Sequence, residues 1–413
     1  MITQEHLIKL LSKQQALNFR PGEENSYSNS NFTLLAEIVK AISHQSFRQF
    51  ADSAIFKPLG MTNTHFNDDY TEIVKNRSYS YSRVDSAHYA NSVLSYSNVG
   101  ATSLLTNVRD MSKWIRNFYE LKVGDQNDID VLTQKTRLTN GKELNYAAGI
   151  VSDIYKGWRR FSHSGGDAGF RTFIAAYPDL KMGVIVFGNI DDLNPTRRAD
   201  QMMGLFIKDT IRHGSEVKEE KKDTTTAVLG GDSLLLKKYL GYYISDERLA
   251  LSLEKRNQKL YYHLGDQYVL MAKDSVNLFS MFDAPEIKFK LTLQPRDTVV
   301  TITTPDETHR LIKYQPTPSD DKFLQAYTGV YYSPELGCSY TIVPKDHRLI
   351  LTNSKDSDTP LTLAGPDHLL SDYWWMSHLM ITRDHLKQIT GFEINSNRVM
   401  HVKFNRVEKG KVL

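Results

Sequence analysis

The sequence predicts an α+β region followed by two small antiparallel β-barrels. Three observations carry that prediction. Up to residue 118, apolar residues recur at helical spacing between proline-glycine breakers. From Trp158 to Gly188, strand-like runs alternate with turn residues. Beyond residue 231, Tyr239-Leu240-Gly241-Tyr242-Tyr243-Ile244-Ser245-Asp246-Glu247 returns 88 residues later as Tyr327-Thr328-Gly329-Val330-Tyr331-Tyr332-Ser333-Pro334-Glu335. Such a return marks a duplicated unit.

Leu7, Ile8, Leu10 and Leu11 mark a helix within Ile2 to Leu17. Pro21-Gly22 then marks a turn, because Pro21 fixes φ and Gly22 tolerates left-handed geometry. Asn29 or Ser30 is placed to cap a buried helix carrying Phe32, Leu34, Leu35, Ile38, Val39 and Ile42. Phe47, Phe50, Ala54 and Ile55 continue a second helix, stopped by Lys57-Pro58-Leu59-Gly60-Met61. Residues 62–100, rich in Tyr, Ser and Asn, read as a long ordered loop crossing an active face, with a disordered loop as the alternative. Thr102 to Phe118 resumes helix, with Thr106 or Asn107 as cap and Met111, Trp114, Ile115 and Phe118 inward.

Trp158 to Gly166 is a strand running into two glycines, and Phe170 to Tyr177 is a second strand. Met182 to Gly188 is a third, apolar without interruption at Val184, Ile185, Val186 and Phe187, which fits a central strand covered on both faces. Ala199 to Ile211 reads as a helix. Residues 215–231, charged and then small and polar, read as a linker between a first domain at 1–214 and barrels at 232–316 and 317–413. Lys259 to Leu264, Val299 to Thr303, Leu349 to Thr352 and Val399 to Phe404 are short alternating barrel strands. The Trp374-Trp375 pair reads as core or rim packing.

With 40% hydrophobic and 24% charged residues, the composition is that of a soluble globular protein, not a disordered one. A net charge of +3, evenly spread, gives no footprint for nucleic acid. A single cysteine, Cys338, excludes an intrachain disulfide. No apolar run approaches the roughly 20 residues of a membrane span, and Met1-Ile2-Thr3-Gln4-Glu5 does not read as a signal peptide. No His-Glu-x-x-His pair and no phosphate-binding glycine loop occurs, so no metal and no cofactor is inferred. The polar candidate is Tyr27 with Asn29, a phenol and an amide two residues apart on a rigid turn before a helix. In the plainer alternative Tyr27 packs and Asn29 only caps.

Pro21-Gly22…Tyr27-Ser28-Asn29, Phe56-Lys57-Pro58-Leu59-Gly60-Met61 and His163-Ser164-Gly165-Gly166 follow one another in that order. Together they resemble the serine hydrolase family of class C β-lactamases, D-alanyl-D-alanine peptidases and related esterases. The likeness covers about residues 1–212, and the tail more loosely resembles lipocalin-like barrels. The resemblance implies a partial β-lactamase/transpeptidase-like antiparallel sheet with helices. It implies that Tyr27, of the Tyr-x-Asn motif, is a general base or proton shuttle, and that Asn29 orients substrate or holds a lysine. His163-Ser164-Gly165 matches the motif usually written Lys-Thr-Gly. His163 would tune Tyr27 or bind the polar end of a substrate. Ser164, Gly165 and Gly166 would line the substrate strand, with the Gly166 N–H as half of an oxyanion hole. The implied ligands are small-molecule, peptide or ester substrates, and the implied location of the intact protein is periplasmic or extracellular. The histidine tilts the expected chemistry from β-lactamase toward peptidase or esterase.

The family's Ser-x-x-Lys nucleophile motif precedes Tyr-x-Asn. Here 26 residues precede Tyr27, and their two serines, Ser12 and Ser26, have Gln15 and Asn29 three places on, not lysine. Ser215/Lys218, Ser252/Lys255 and Ser319/Lys322 have the spacing but follow His163, and no role is assigned to them. The expectation is a truncated reading of a longer hydrolase, inactive as written, with residues 182–188 left as an open apolar edge that invites pairing with another chain. A non-catalytic binding protein and an inert fragment are the competing expectations.

Overall fold

The computed structural model describes residues 2–85, 87–94, 96–207 and 237–407, the last range without 246–248, 257–258, 265–266, 276, 282–286, 296, 305–307, 317–319, 354–357, 372, 374 and 397. The linker expected at 215–231 and Trp374 lie outside the described residues. The chain divides into two compact units, residues 1–12 with 21–219 and residues 13–20 with 220–413.

The first unit is built on a four-stranded antiparallel sheet: Val151–Tyr155, Trp158–Asp167, Phe170–Tyr177 and Met182–Gly188, neighbours in space in chain order. Lys156 and Gly157, both at positive φ, close the first hairpin with the handedness that twisted strands require. One face of the sheet packs Phe173, Ala175 and Tyr177 on Ala199 and Met203 of the helix Pro195–Phe206. The other packs Phe161 and Ala176 on Ile115 and Phe118 of the helix Val108–Glu120. The Met182–Gly188 strand is therefore covered on both faces, as its apolar run predicts. In the ladder, though, it is an edge, pairing only with Phe170–Tyr177 among the described residues. Continuous apolarity reports covered faces and says nothing of ladder position.

Several helices differ from expectation. The first is Gln4–Leu11, preceded by the short strand Ile2–Thr3. Asn107 does cap the 108–120 helix, accepting from the Asp110 N–H, but the helix starts later than expected because Leu104–Leu105 pairs with His65–Phe66 as strand. The 195–206 helix begins at Pro195, a first-turn position where no N–H is needed, and Asn194 caps it. Residues 62–100 hold short strands, His65–Phe66, Ser80–Arg83, Tyr89–Ser92 and Tyr96–Ser97, not one loop. The strand Val151–Tyr155 and the helix Gln126–Thr133 were not predicted.

The helix Asn29–Ser43 corrects two expectations. Ser28 occupies the cap position without a side-chain hydrogen bond, and Asn29 lies inside the first turn, so neither Asn29 nor Ser30 is the cap. Nor is its apolar face buried. Thr33 and Ala36 are the buried positions, whereas Leu34, Leu35, Ile38 and Ile42 are exposed, Ile42 by 76%. The apolar period is genuine, and the described residues leave that face uncovered.

The second unit holds two closed barrels of eight antiparallel strands, each a meander whose first and last strands meet. The first runs from Gly241–Ile244 to Thr308–Tyr314 and the second from Gly329–Ser333 to Val399–Arg406. Both interiors are filled by side chains, with Leu260, Met271 and Leu291 in the first and Ile342, Leu369 and Phe392 in the second. The duplication persists at atomic detail. The buried Tyr243 hydroxyl donates to the Tyr239 carbonyl at 2.6 Å, and its counterpart Tyr331 donates to Tyr327 at 2.7 Å.

Candidate active site

The site is assembled at the point where the Trp158–Asp167 strand outgrows its neighbour. Val151–Tyr155 pairs with it only as far as Ser162, while Phe170–Tyr177 accompanies it from Phe161 to Asp167. From His163 onward, one side of the strand has no ladder partner among the described residues. His163 emerges there, just past Phe161, whose ring is held against Phe118 at 5.7 Å.

Tyr27 reaches the same point from the other direction. Gly22, at φ +86°, turns the chain, and its carbonyl accepts from the Thr139 N–H at 2.9 Å and the Thr139 hydroxyl at 3.2 Å. That contact docks the turn carrying Tyr27 on the segment leading to Tyr146. The Tyr146 loop is itself pinned, by Leu144 N–H to Thr136 C=O at 2.8 Å and Ser152 N–H to Asn145 C=O at 2.7 Å. The Phe32 ring, one turn along the helix that follows Tyr27, lies against Gly149.

The result is three rings in mutual contact. Tyr27 and His163 have centroids 6.0 Å apart, Tyr27 and Tyr146 5.9 Å, and Tyr146 and His163 6.0 Å. The Tyr146 hydroxyl lies 3.2 Å from His163 Nε2, and His163 Nδ1 lies 2.5 Å from the Ser164 carbonyl oxygen. Burial, and then the neighbouring Tyr27, pushes the Tyr146 phenol up to about 12. Tyr146 therefore keeps its proton at neutral pH.

Of the residues singled out from sequence, the structure brings Tyr27 and His163 together. Ser164 is exposed, and its carbonyl serves the imidazole. Gly165 and Gly166 follow on the one-sided strand, Gly166 exposed. Asn29 is exposed in the first turn of its helix. Tyr146 was missed. In the sequence it is one of 22 tyrosines, in Asn145-Tyr146-Ala147-Ala148-Gly149, and nothing local sets it apart. Two further groups border the strand's far end. The Tyr96 hydroxyl donates to the Asp167 carboxylate, and burial holds that carboxyl above its usual range. The Arg171 guanidinium donates to the Ala168 and Phe170 carbonyls.

No group of three or more His, Cys, Asp or Glu side chains is placed to hold a metal ion among the described residues. Ser252 lies in a barrel strand with its hydroxyl donating to Glu254. No helix among the described residues is long and apolar enough to cross a membrane.

A family model described as Beta-lactamase matches residues 7–205. Penicillin-binding protein 4* of Bacillus subtilis (strain 168) is 23% identical over 317 residues, 71% of this chain and 67% of that protein. Protein flp of Staphylococcus aureus (strain MRSA252) is 26% identical over 180 residues, 42% of this chain and 35% of that one. The chain thus spans about two thirds of the first relative and about a third of the second. Among solved structures, the octameric penicillin-binding protein homologue from Pyrococcus abyssi is 19% identical with a TM-score of 0.47, over 75% of this chain and 70% of that one. Residues 7–205 are a domain of the serine hydrolase family related to β-lactamases and penicillin-binding proteins, followed in this chain by two antiparallel barrels.

Proposed function

We propose that the cleft at Tyr27, Tyr146 and His163 binds small amides, peptides or esters, and that these 413 residues do not by themselves form an acyl-enzyme. The observation that carries the binding half is the convergence of three rings where the His163 strand loses its neighbour. Unpaired strand backbone offers a ligand amide its own N–H and C=O partners. In this reading Tyr27 is the proton-transferring group, His163 sets its surroundings, and the Gly166 N–H faces the carbonyl oxygen of the ligand.

The second half rests on chemistry that the sequence lacks. A phenol and an imidazole can move protons, but acyl transfer by this family's route needs a serine activated by a neighbouring base. No Ser-x-x-Lys stands before Tyr27, and Ser252, the one such serine among the described residues, is seated in a barrel strand. The test of the binding half is a titration with N-acetyl-alaninamide and with a short alanyl ester, followed by the imidazole resonances of His163. Ligand-dependent movement that is lost in Tyr27→Phe supports the reading. Unmoved His163 signals with either ligand at millimolar concentration refute it.

A further inference from the structure

We propose that Tyr146 is a positioning residue for His163, its hydroxyl meeting Nε2 while the Ser164 carbonyl faces Nδ1, so that Nδ1 bears the hydrogen and Nε2 accepts. The inference deepens the reading above and rests on the same cleft. Its basis is the inequality of the two partners. The Ser164 carbonyl oxygen, 2.5 Å from Nδ1, can only accept, so Nδ1 must be the nitrogen that bears hydrogen. A neutral imidazole has one proton to give. Nε2 is then bare and can only accept, and the Tyr146 hydroxyl, 3.2 Å away, is the donor that meets it.

Three features keep Tyr146 in that role. Its phenol is half-buried and retains its proton well above neutral pH. Its ring is wedged edge-on against Tyr27, 84° from coplanar, which restricts its swing. Its loop is tied at both ends by backbone bonds from Leu144 and Ser152. A ligand N–H or O–H seeking Nε2 must first displace the Tyr146 hydroxyl.

Imidazole ¹⁵N spectra test this directly on the full chain at pH 7.5, with His163 assigned by the signals lost in His163→Ala. The expected wild-type spectrum shows one protonated nitrogen, Nδ1, and one bare nitrogen displaced by a hydrogen bond. In Tyr146→Phe, which keeps the ring and removes only the hydroxyl, that displacement disappears while the hydrogen stays on Nδ1 beside the Ser164 carbonyl. A wild-type ring protonated on Nε2 or on both nitrogens overturns the proposal. So does a Tyr146→Phe spectrum indistinguishable from wild type. Because the readout needs neither turnover nor ligand, its failure and a failure of the binding reading are separate results.

Discussion

Gly165 shows how a residue legible in sequence acquires a different reason in three dimensions. The motif suggests a glycine that lets substrate approach. In the structure, the space its side chain would occupy is already taken by the Thr172 hydroxyl, directly opposite in the ladder. Gly165→Ala is expected to cost about 1–3 kcal/mol in urea unfolding by overpacking, with most of that recovered when Thr172→Ala is added. At Gly166 the nearest atom to such a side chain is Arg171 Nη1 at 3.6 Å, an ordinary contact. Gly166→Ala is expected to stay within about 0.5 kcal/mol of wild type. Equal losses at the two glycines would contradict the packing account. Tyr27 and His163 were legible because each sits in a short motif at a recognisable turn or strand end. Tyr146 was not, because its role comes from the Gly22–Thr139 contact and the Phe32–Gly149 contact, both between segments more than 100 residues apart in sequence.

Among elements, the helix Asn29–Ser43 and the second barrel make opposite points. The helix was legible as a helix, but its environment was not, since periodicity announces an apolar face and not what covers it. Leu35 is 50% and Ile42 76% exposed. Ile42→Glu is expected to leave stability within about 0.5 kcal/mol and to raise the monomer fraction in sedimentation. A loss of several kcal/mol would mean that this face is covered after all. In the barrel, short alternating strands and the 88-residue return were enough to predict repeated closed units. They could not predict the pair His368 and His378, joined Nε2 to Nδ1 at 2.9 Å. Burial pushes both below the usual imidazole value, and burial together with the neighbouring His368 takes His378 to about 3. The unfolded chain, with ordinary imidazoles near 6.5, then binds more protons than the native one below that pH. Stability contributed by the neutral pair is complete above pH 6.5 and is lost on acidification toward 3, by up to about 1.4 kcal/mol per pH unit per imidazole. Thermal melts between pH 7.5 and 4 should show a shallower slope for His378→Phe than for wild type. Identical slopes would exclude the pair as the source.

On the scale of the whole chain, a family domain with an open edge at Met182–Gly188 and an uncovered helix face precedes two barrels whose interiors are filled. The edge strand has both faces packed and one row of backbone groups unpaired among the described residues, the arrangement that recruits another strand. Amide exchange in residues 182–188 is expected to slow as protein concentration rises, and exchange independent of concentration would argue against pairing there. The wider order of motifs made the family legible before any coordinates, because Tyr-x-Asn, the Pro-Leu-Gly-Met stop and His-Ser-Gly-Gly each demand a particular local structure. Which rings would meet could not be read the same way, since that depends on packing between distant segments. The account's central claim is a cleft that binds without acylating, and intact-mass spectrometry after incubation with a fluorophosphonate, which captures an activated serine whatever acyl group it prefers, tests it most directly. The account predicts a single unmodified mass, and stoichiometric labelling of any serine in the 413-residue chain would contradict it.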